Sequence, residues 1–314
     1  MSIEVISPGL QTSIQDLGRQ GHMHLGVAKS GAMDNLSMQL ANWLVGNALE
    51  HPVFEISLLG PTLRFTQALT IAICGAKFDI YLASEDRKRI AVNTNQSIQV
   101  KAGDTLHFTQ RLQGARAYLA FAATLDCAPV LNSYSTHFAA QFAGFKGRAL
   151  QKGDRVILSH CEVRKIKTLP KVLQQHYSGS YLLRCVPSVE TEHFSEAQLT
   201  QFYSSTYVLR SDSNRMGLRF DAKPLTKLNM QELVSSGLTQ GSVQIPPSGL
   251  PIISSVDGQT IGGYSRIANV ISADHFALGQ LVAGDKVNFT LLSQQDAQDI
   301  YARQYMALKA LSSS

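Results

Sequence analysis

Two short stretches carry the residue types that could do chemistry. In the first, between Leu10 and Asn47, Gly18, Gly21, Gly26 and Gly31 are interleaved with Gln15, Asp16, Arg19, His22, His24, Lys29, Ser30 and Asp34. Glycines free the backbone for tight turns and for close approach to a ligand. Amide, carboxylate and cationic side chains between them could orient a small polar substrate. The second stretch reads Asp257-Gly-Gln259-Thr260-Ile-Gly-Gly263-Tyr264 and offers the same mixture. Arg215, in Asn-Arg-Met-Gly, could clamp a carboxylate or phosphate through two parallel hydrogen bonds. If both loops serve one ligand, 15–34 and 257–266 must meet in one cleft, for which the seam between two packed domains is the expected place.

Each feature also has a plainer reading. Gly21-His-Met-His-Leu-Gly26 with Lys29-Ser30 approaches a phosphate-binding P-loop, but Val27-Ala28 separates glycine from lysine and the next helix starts only near Asp34. A looser nest of backbone N–H groups for an anion stays open. His22 and His24 would share one face of an extended strand, yet they lack a third ligand nearby, so packing or surface is the better reading. Asp34 suits a helix N-cap as well as a site, and both can hold, because a helix start attracts anions. Asn42, inside a helix, is expected to hydrogen-bond a neighbouring loop. The second loop could be an ordinary β-turn with polar caps, and Arg215 an ordinary ion pair.

The elements that must position these residues are mostly strands. Short alternating or apolar runs at 69–74, 78–82, 97–100, 118–121, 181–185, 242–245 and 287–292 are bounded by Gly, Pro, Asn and Asp. Gly-Asp precedes an alternating run three times, at 103–104, 153–154 and 284–285, which predicts three turns leading into strands and hints at two related β domains. Helices are predicted over 34–45 with Gly46 as stop, from Ser195 to about 202, and from Ser293 onward. The last should dock through Ala297, Ile300, Tyr301 and Leu308, with 312–314 fraying. The polar, basic stretch 162–180 predicts the boundary between domains at 1–165 and 166–314.

Composition narrows the class. A chain of 314 residues suits two domains. Charged residues are 16% and hydrophobic ones 44%, against roughly a quarter charged in average proteins. So little surface charge is expected to leave area for another protein chain. The net charge of +5 comes from scattered Lys and Arg, and the run Arg87-Lys88-Arg89 after Glu85-Asp86 reads as a solvated hairpin tip, so no nucleic-acid partner is expected. Four scattered cysteines form no Cys-x-x-Cys and predict buried thiols. Residues 1–9 show no basic segment leading into an apolar run, and 115–131 is interrupted by Arg116 and Asp126. Neither a secretory signal nor a spanning helix is expected, and the expected location is cytoplasmic.

With Gln15-Asp-Leu-Gly-Arg19 and Ser30-Gly-Ala-Met-Asp34, the chain resembles the allophanate hydrolase subunit 2, or biotin-dependent carboxyltransferase-like, family, which includes KipA and the C subunit of 5-oxoprolinase. Further matches are Ser213-Asn-Arg-Met-Gly-Leu-Arg219, Gly241-Ser-Val-Gln-Ile-Pro-Pro-Ser-Gly249 and 256–267, so the resemblance spans nearly all of residues 3–291. It implies a mainly β fold of two cyclophilin-like β-barrel domains with a few short helices. The function it implies is that of the C subunit of an ATP-dependent 5-oxoprolinase, acting with a KipI-like B subunit and a separate A subunit, with ATP and magnesium at the level of the complex. Under that implication Arg19, Lys29, Arg215 and loop N–H groups would face a developing oxyanion and phosphate. Asp16 or Asp257 would act as base or magnesium ligand, and Gln15, Ser30, Asp34, Asn42, Gln259, Thr260, Gly263 and Tyr264 would bind substrate. No covalently attached biotin is expected, because Gly31-Ala-Met-Asp34 has aspartate where a biotinyl lysine would stand. Two alternatives remain: a carboxyltransferase domain using biotin carried on another chain, and a KipA-like regulator without chemistry. The second gains from Tyr134, which stands where many family members have arginine, while Arg148 keeps the family pattern.

Overall fold

A computed structural model describes residues 1–84, 86, 88–225 and 234–312. The chain folds as two compact units, Met1–Gln20 with Ser30–Tyr177 and Gly21–Lys29 with Ser178–Ser314. The division falls after Tyr177 because 166–177 stays with the N-terminal sheet: Ser97 N–H donates to Lys167 O, Leu169 N–H donates to Asn95 O, and Leu169 and Tyr177 are buried. The 21–29 segment, in contrast, belongs to the C-terminal unit.

The N-terminal unit is a ten-stranded sheet. Its spine is Thr105–Phe121, which pairs antiparallel with Val53–Ser57, Thr62–Phe65 and Leu69–Ala83. The runs 69–74 and 78–82 form one strand rather than two. Gly75, at φ +94°, and register shifts between Gly75 and Ile80 bend the strand without ending it. Alternate residues of these strands, among them Ile71, Ile73, Leu106, Leu119 and Phe121, fill the core. The helix Asn35–Val45 covers the sheet with Met38, Leu40, Ala41 and Leu44. Asp34 caps it by accepting from Ser37 N–H at 2.8 Å, and Gly46 closes it in the left-handed conformation. Arg164 supplies the remaining end contact, donating to Val45 O at 2.6 Å.

The C-terminal unit is a closed seven-stranded barrel in the order Ser180–Pro187, Arg266–Val270, Ser242–Gln244, Ile252–Ser254, Gly217–Asp221, Tyr207–Leu209 and Lys286–Leu291. Closure comes from parallel pairing of Lys286–Leu291 with Ser180–Pro187, and Leu183, Cys185, Leu218, Phe220, Val243, Ile253, Val287 and Phe289 pack inside. The mainly β expectation holds. Ring closure is found in this second unit, while the ladder of the first is that of an open sheet or half-barrel among the described residues.

The three Gly-Asp turns are built alike. Each glycine has φ near +90°, and Asp104, Asp154 and Asp285 accept a hydrogen bond from the backbone N–H three residues earlier at 2.7–2.8 Å. The helices Glu196–Ser204 and Gln294–Ser312 begin at Ser195 and Ser293 with capping contacts. Along the terminal helix Ala297, Ile300 and Leu308 are half-buried, but Tyr301 is exposed. Met23–Leu25 is a 3-10 turn, so His22 and His24 share no strand face. Among the described residues no group of three or more His, Cys, Asp or Glu could hold a metal. All four cysteines are free thiols; Cys74 and Cys185 are buried and Cys127 and Cys161 half-buried. Glu85, Arg87, Ser313 and Ser314, parts of the expected hairpin tip and frayed end, lie outside the described residues, whereas Asp86 and Lys88 pair at 3.4 Å. Among the described residues no helix is long and apolar enough to cross a membrane.

Gly31 fixes how the first polar stretch folds back on itself. At φ +96° it lets Ala32 N–H reach Asp16 O, and a Cβ there would sit 2.9 Å from Gly18 N and 3.1 Å from Asp16 O. Gly31→Ala should therefore cost roughly 1–3 kcal/mol, seen as a clear loss of Tm in thermal unfolding. An unchanged Tm would show that this approach is not constrained.

Candidate functional site

Asp16, Arg19 and Asp34 of the first stretch turn out to hold the N-terminal unit together. Asp16 is buried, and its carboxylate accepts from Gly18 N–H at 2.8 Å, Ser133 Oγ at 2.7 Å, Tyr134 N–H at 2.6 Å and Ser135 Oγ. Through these contacts Asp16 organises the 133–135 turn. Tyr134 takes part through its backbone. Arg19 is fully buried, donates to Ser135 O and lies 4.6 Å over the Phe142 ring. Gln15 donates to Ser13 Oγ at 3.0 Å.

Asp34 spends its carboxylate on the helix cap, accepting from both Ser37 N–H and Ser37 Oγ. Its own N–H donates to Tyr118 Oη, which donates to Glu55 at 2.8 Å. Burial, together with the Glu55 and Asp34 charges, pushes the Tyr118 phenol well above its usual range. Asn42 is buried and donates to Leu49 O and His51 O, which pins the loop after the helix. These contacts give Asp34 and Asn42 a structural use, at the cap of the helix and in the loop after it. Ser30 is buried at φ +55°. Lys29, half-buried, belongs to the C-terminal unit, where burial foremost, and the Lys29 charge with it, lower the His275 imidazole to about 4. His275 is thus neutral at physiological pH, with Nε2 3.2 Å from Val270 O.

The second stretch gives a different picture. A cavity of about 960 Å³ opens wholly within the C-terminal unit. Its wall includes Gln259, Thr260, Gly263 and Tyr264, all four expected from sequence, and Gly26 of the first glycine-rich stretch. The loop is braced on one side by the short ladder Ser236–Gly237 with Ile261–Gly262 and by Leu238 N–H donating to Thr260 O at 2.8 Å. Beneath it, Arg215 and Asp257 form a bidentate pair, Nε to Oδ2 at 2.7 Å and Nη2 to Oδ1 at 3.3 Å, with both side chains buried. Asp257 N–H also donates to Arg215 O, and Ser255 N–H to Met216 O, so 213–217 and 255–259 are laced together. Arg215 and Asp257 are thus the brace under the cavity rather than its lining. Both carboxylate oxygens of Asp257 are held by the Arg215 guanidinium.

Sequence reasoning missed Arg219, Gln244 and Ser254, which also line the cavity. The signal was present for Arg219. In Gly217–Asp221 alternation turns Leu218 and Phe220 into the core and leaves Arg219 on the other face.

Comparison with known proteins places this architecture. The model of the "Carboxyltransferase domain, subdomain A and B" family matches residues 25–291. The chain is 36% identical over 299 residues to the C subunit of 5-oxoprolinase from Escherichia coli, covering 94% of this chain and 93% of that one. It is 35% identical to the corresponding C subunit of Haemophilus influenzae with the same coverage. Among solved structures, K. lactis urea amidolyase superposes with a TM-score of 0.89 at 29% identity, over 99% of this chain and 20% of that one.

Removing one partner of the buried pair leaves an uncompensated charge, so Arg215→Met or Asp257→Ala should cost about 3–5 kcal/mol in urea unfolding. The double variant Arg215→Met/Asp257→Leu should lose less than the sum of the two single losses. Strict additivity would mean that the two side chains do not act as a pair.

Proposed function

This chain belongs to the carboxyltransferase domain, subdomain A and B, family, and on that premise we propose that it is the C subunit of an ATP-dependent 5-oxoprolinase, which hydrolyses 5-oxoproline to glutamate. The observation that carries the reading is end-to-end similarity to two proteins of that name, covering 93% of each. The chemistry must open an unstrained lactam amide, and ATP would supply the drive by turning the carbonyl oxygen into a leaving group. This chain's part is to bind and orient the lactam in the cavity of the C-terminal barrel, where Gln259, Thr260 and Tyr264 offer amide and hydroxyl groups and the 262–263 turn brings backbone close.

The carboxylates expected to act as base or magnesium ligand are committed elsewhere, Asp16 to four donors and Asp257 to Arg215. We therefore assign nucleotide and metal binding to the assembled complex, with a KipI-like B subunit and a separate A subunit as partners in the cytoplasm. A second reading, carboxyl transfer from biotin carried on another chain, draws on the superposition with K. lactis urea amidolyase over 99% of this chain.

Co-purification with candidate A and B subunits should give ATP- and 5-oxoproline-dependent glutamate formation, with no turnover by this chain alone. Turnover by the lone chain would remove the divided reaction. A stable complex that is silent toward 5-oxoproline but carboxylates an amide in the presence of carboxybiotin would replace the first reading with the second.

A further inference from the structure

The cavity of the C-terminal barrel has an uneven distribution of charge. Its wall is built from glycines, amides, hydroxyls and a few apolar side chains, and among the described residues that line it Arg219 is the sole charged one. No carboxylate faces the space among those residues. Arg219 stands on Gly217–Asp221, across from Ile252 on the neighbouring strand, and both also line an adjoining cavity of about 380 Å³ together with Tyr264. The guanidinium therefore sits where the two spaces adjoin.

The arginines nearby are held differently. Arg215 is buried and gripped by Asp257. Arg266 is gripped by Glu190 and also donates to Gly237 O at 2.6 Å. Arg210 holds Asp212 by two bonds at 3.0 and 3.1 Å. Arg219 reaches the same Asp212 only through Nε at 3.9 Å, and its side chain is 50% exposed. An ion pair that long, half in water and shared with a better-placed arginine, is worth little and is readily exchanged.

We propose that Arg219 receives the carboxylate of the substrate, and that this cavity selects a small amide bearing one negative charge. The proposal deepens the 5-oxoprolinase reading and rests on it. A cyclic amide with one carboxylate matches the wall in kind: the anion meets the arginine, and the lactam N–H and C=O meet neutral donors and acceptors such as Gln244, Gln259 and Thr260. The same distribution disfavours the product. Ring opening yields an ammonium group and a second carboxylate, and no described lining carboxylate is there to hold the ammonium. Substrate is thus retained and glutamate released.

The test uses the complex with its partner subunits. Arg219→Gln should raise KM for 5-oxoproline roughly 10- to 100-fold, the scale of one charge-assisted pair, and leave kcat within a few-fold. Arg219→Lys should recover part of the loss. Inhibition by 2-pyrrolidinone, the same lactam without its carboxylate, should be equal in wild type and Arg219→Gln. Because Arg219 is half-exposed, an unchanged Tm is expected and separates binding from folding. An active wild-type complex whose KM is unmoved by Arg219→Gln overturns the proposal while sparing the 5-oxoprolinase reading. A wild-type complex without turnover counts against that reading, and calorimetry of 5-oxoproline with this chain then decides Arg219. Weaker binding by Arg219→Gln than by wild type supports the assignment, and equal or absent binding overturns it.

Discussion

The buried pair of Arg215 and Asp257 is the constraint on which the rest of the C-terminal unit depends. A guanidinium and a carboxylate taken out of water are tolerated only when each satisfies the other, and here two hydrogen bonds, with flanking backbone bonds, do so. The consequence is positional. The chain before Gly217–Asp221 and the chain before the 259–264 loop cannot move apart, so the wall carrying Arg219 and the wall carrying Gln259, Thr260 and Tyr264 keep their spacing. The cavity can then be lined by flexible neutral groups and glycines without collapsing, because its rigidity lies one layer below.

The N-terminal unit uses the same device with hydrogen bonds. Asp16 gathers donors from 18 and from 133–135, and Asp34 gathers Ser37 while its backbone feeds the buried Tyr118 and Glu55. Dense clusters of polar residues and glycine thus have two physical uses in one chain. Where every oxygen finds a donor inside the protein, the cluster is architecture. Where amides and hydroxyls line open volume instead, the cluster keeps donors and acceptors facing a cavity.

That distinction explains what could be read from the sequence. The Gly-Asp turns, the Asp34 and Ser195 caps and the Gly46 stop are local: each needs partners within about four residues, and the pattern declares them. The strand-rich class follows from alternation for the same reason. The roles of Asp16 and Arg215 were not legible, because their partners lie 117 to 119 and 42 residues away. Sequence showed that these residues were chemically capable, but not that the fold would use up that capability. Arg219 shows the converse. It sat inside a matched motif and was passed over for Arg215, four positions earlier, yet alternation along Gly217–Asp221 puts it on the cavity side. The break between units after Tyr177 lies inside the polar stretch 162–180, and the first part of that stretch still contributes Leu169 and Tyr177 to the N-terminal unit.

The central claim is that the ligand site lies in the C-terminal barrel and not among the polar residues of the N-terminal unit. Hydrogen–deuterium exchange of the chain within its complex, with and without 5-oxoproline, tests this most directly. The account predicts slowed exchange at 214–219 and 259–264, with 15–20 and 133–136 unchanged. Protection confined to 15–20 and 133–136, with the barrel segments unaffected, would contradict it.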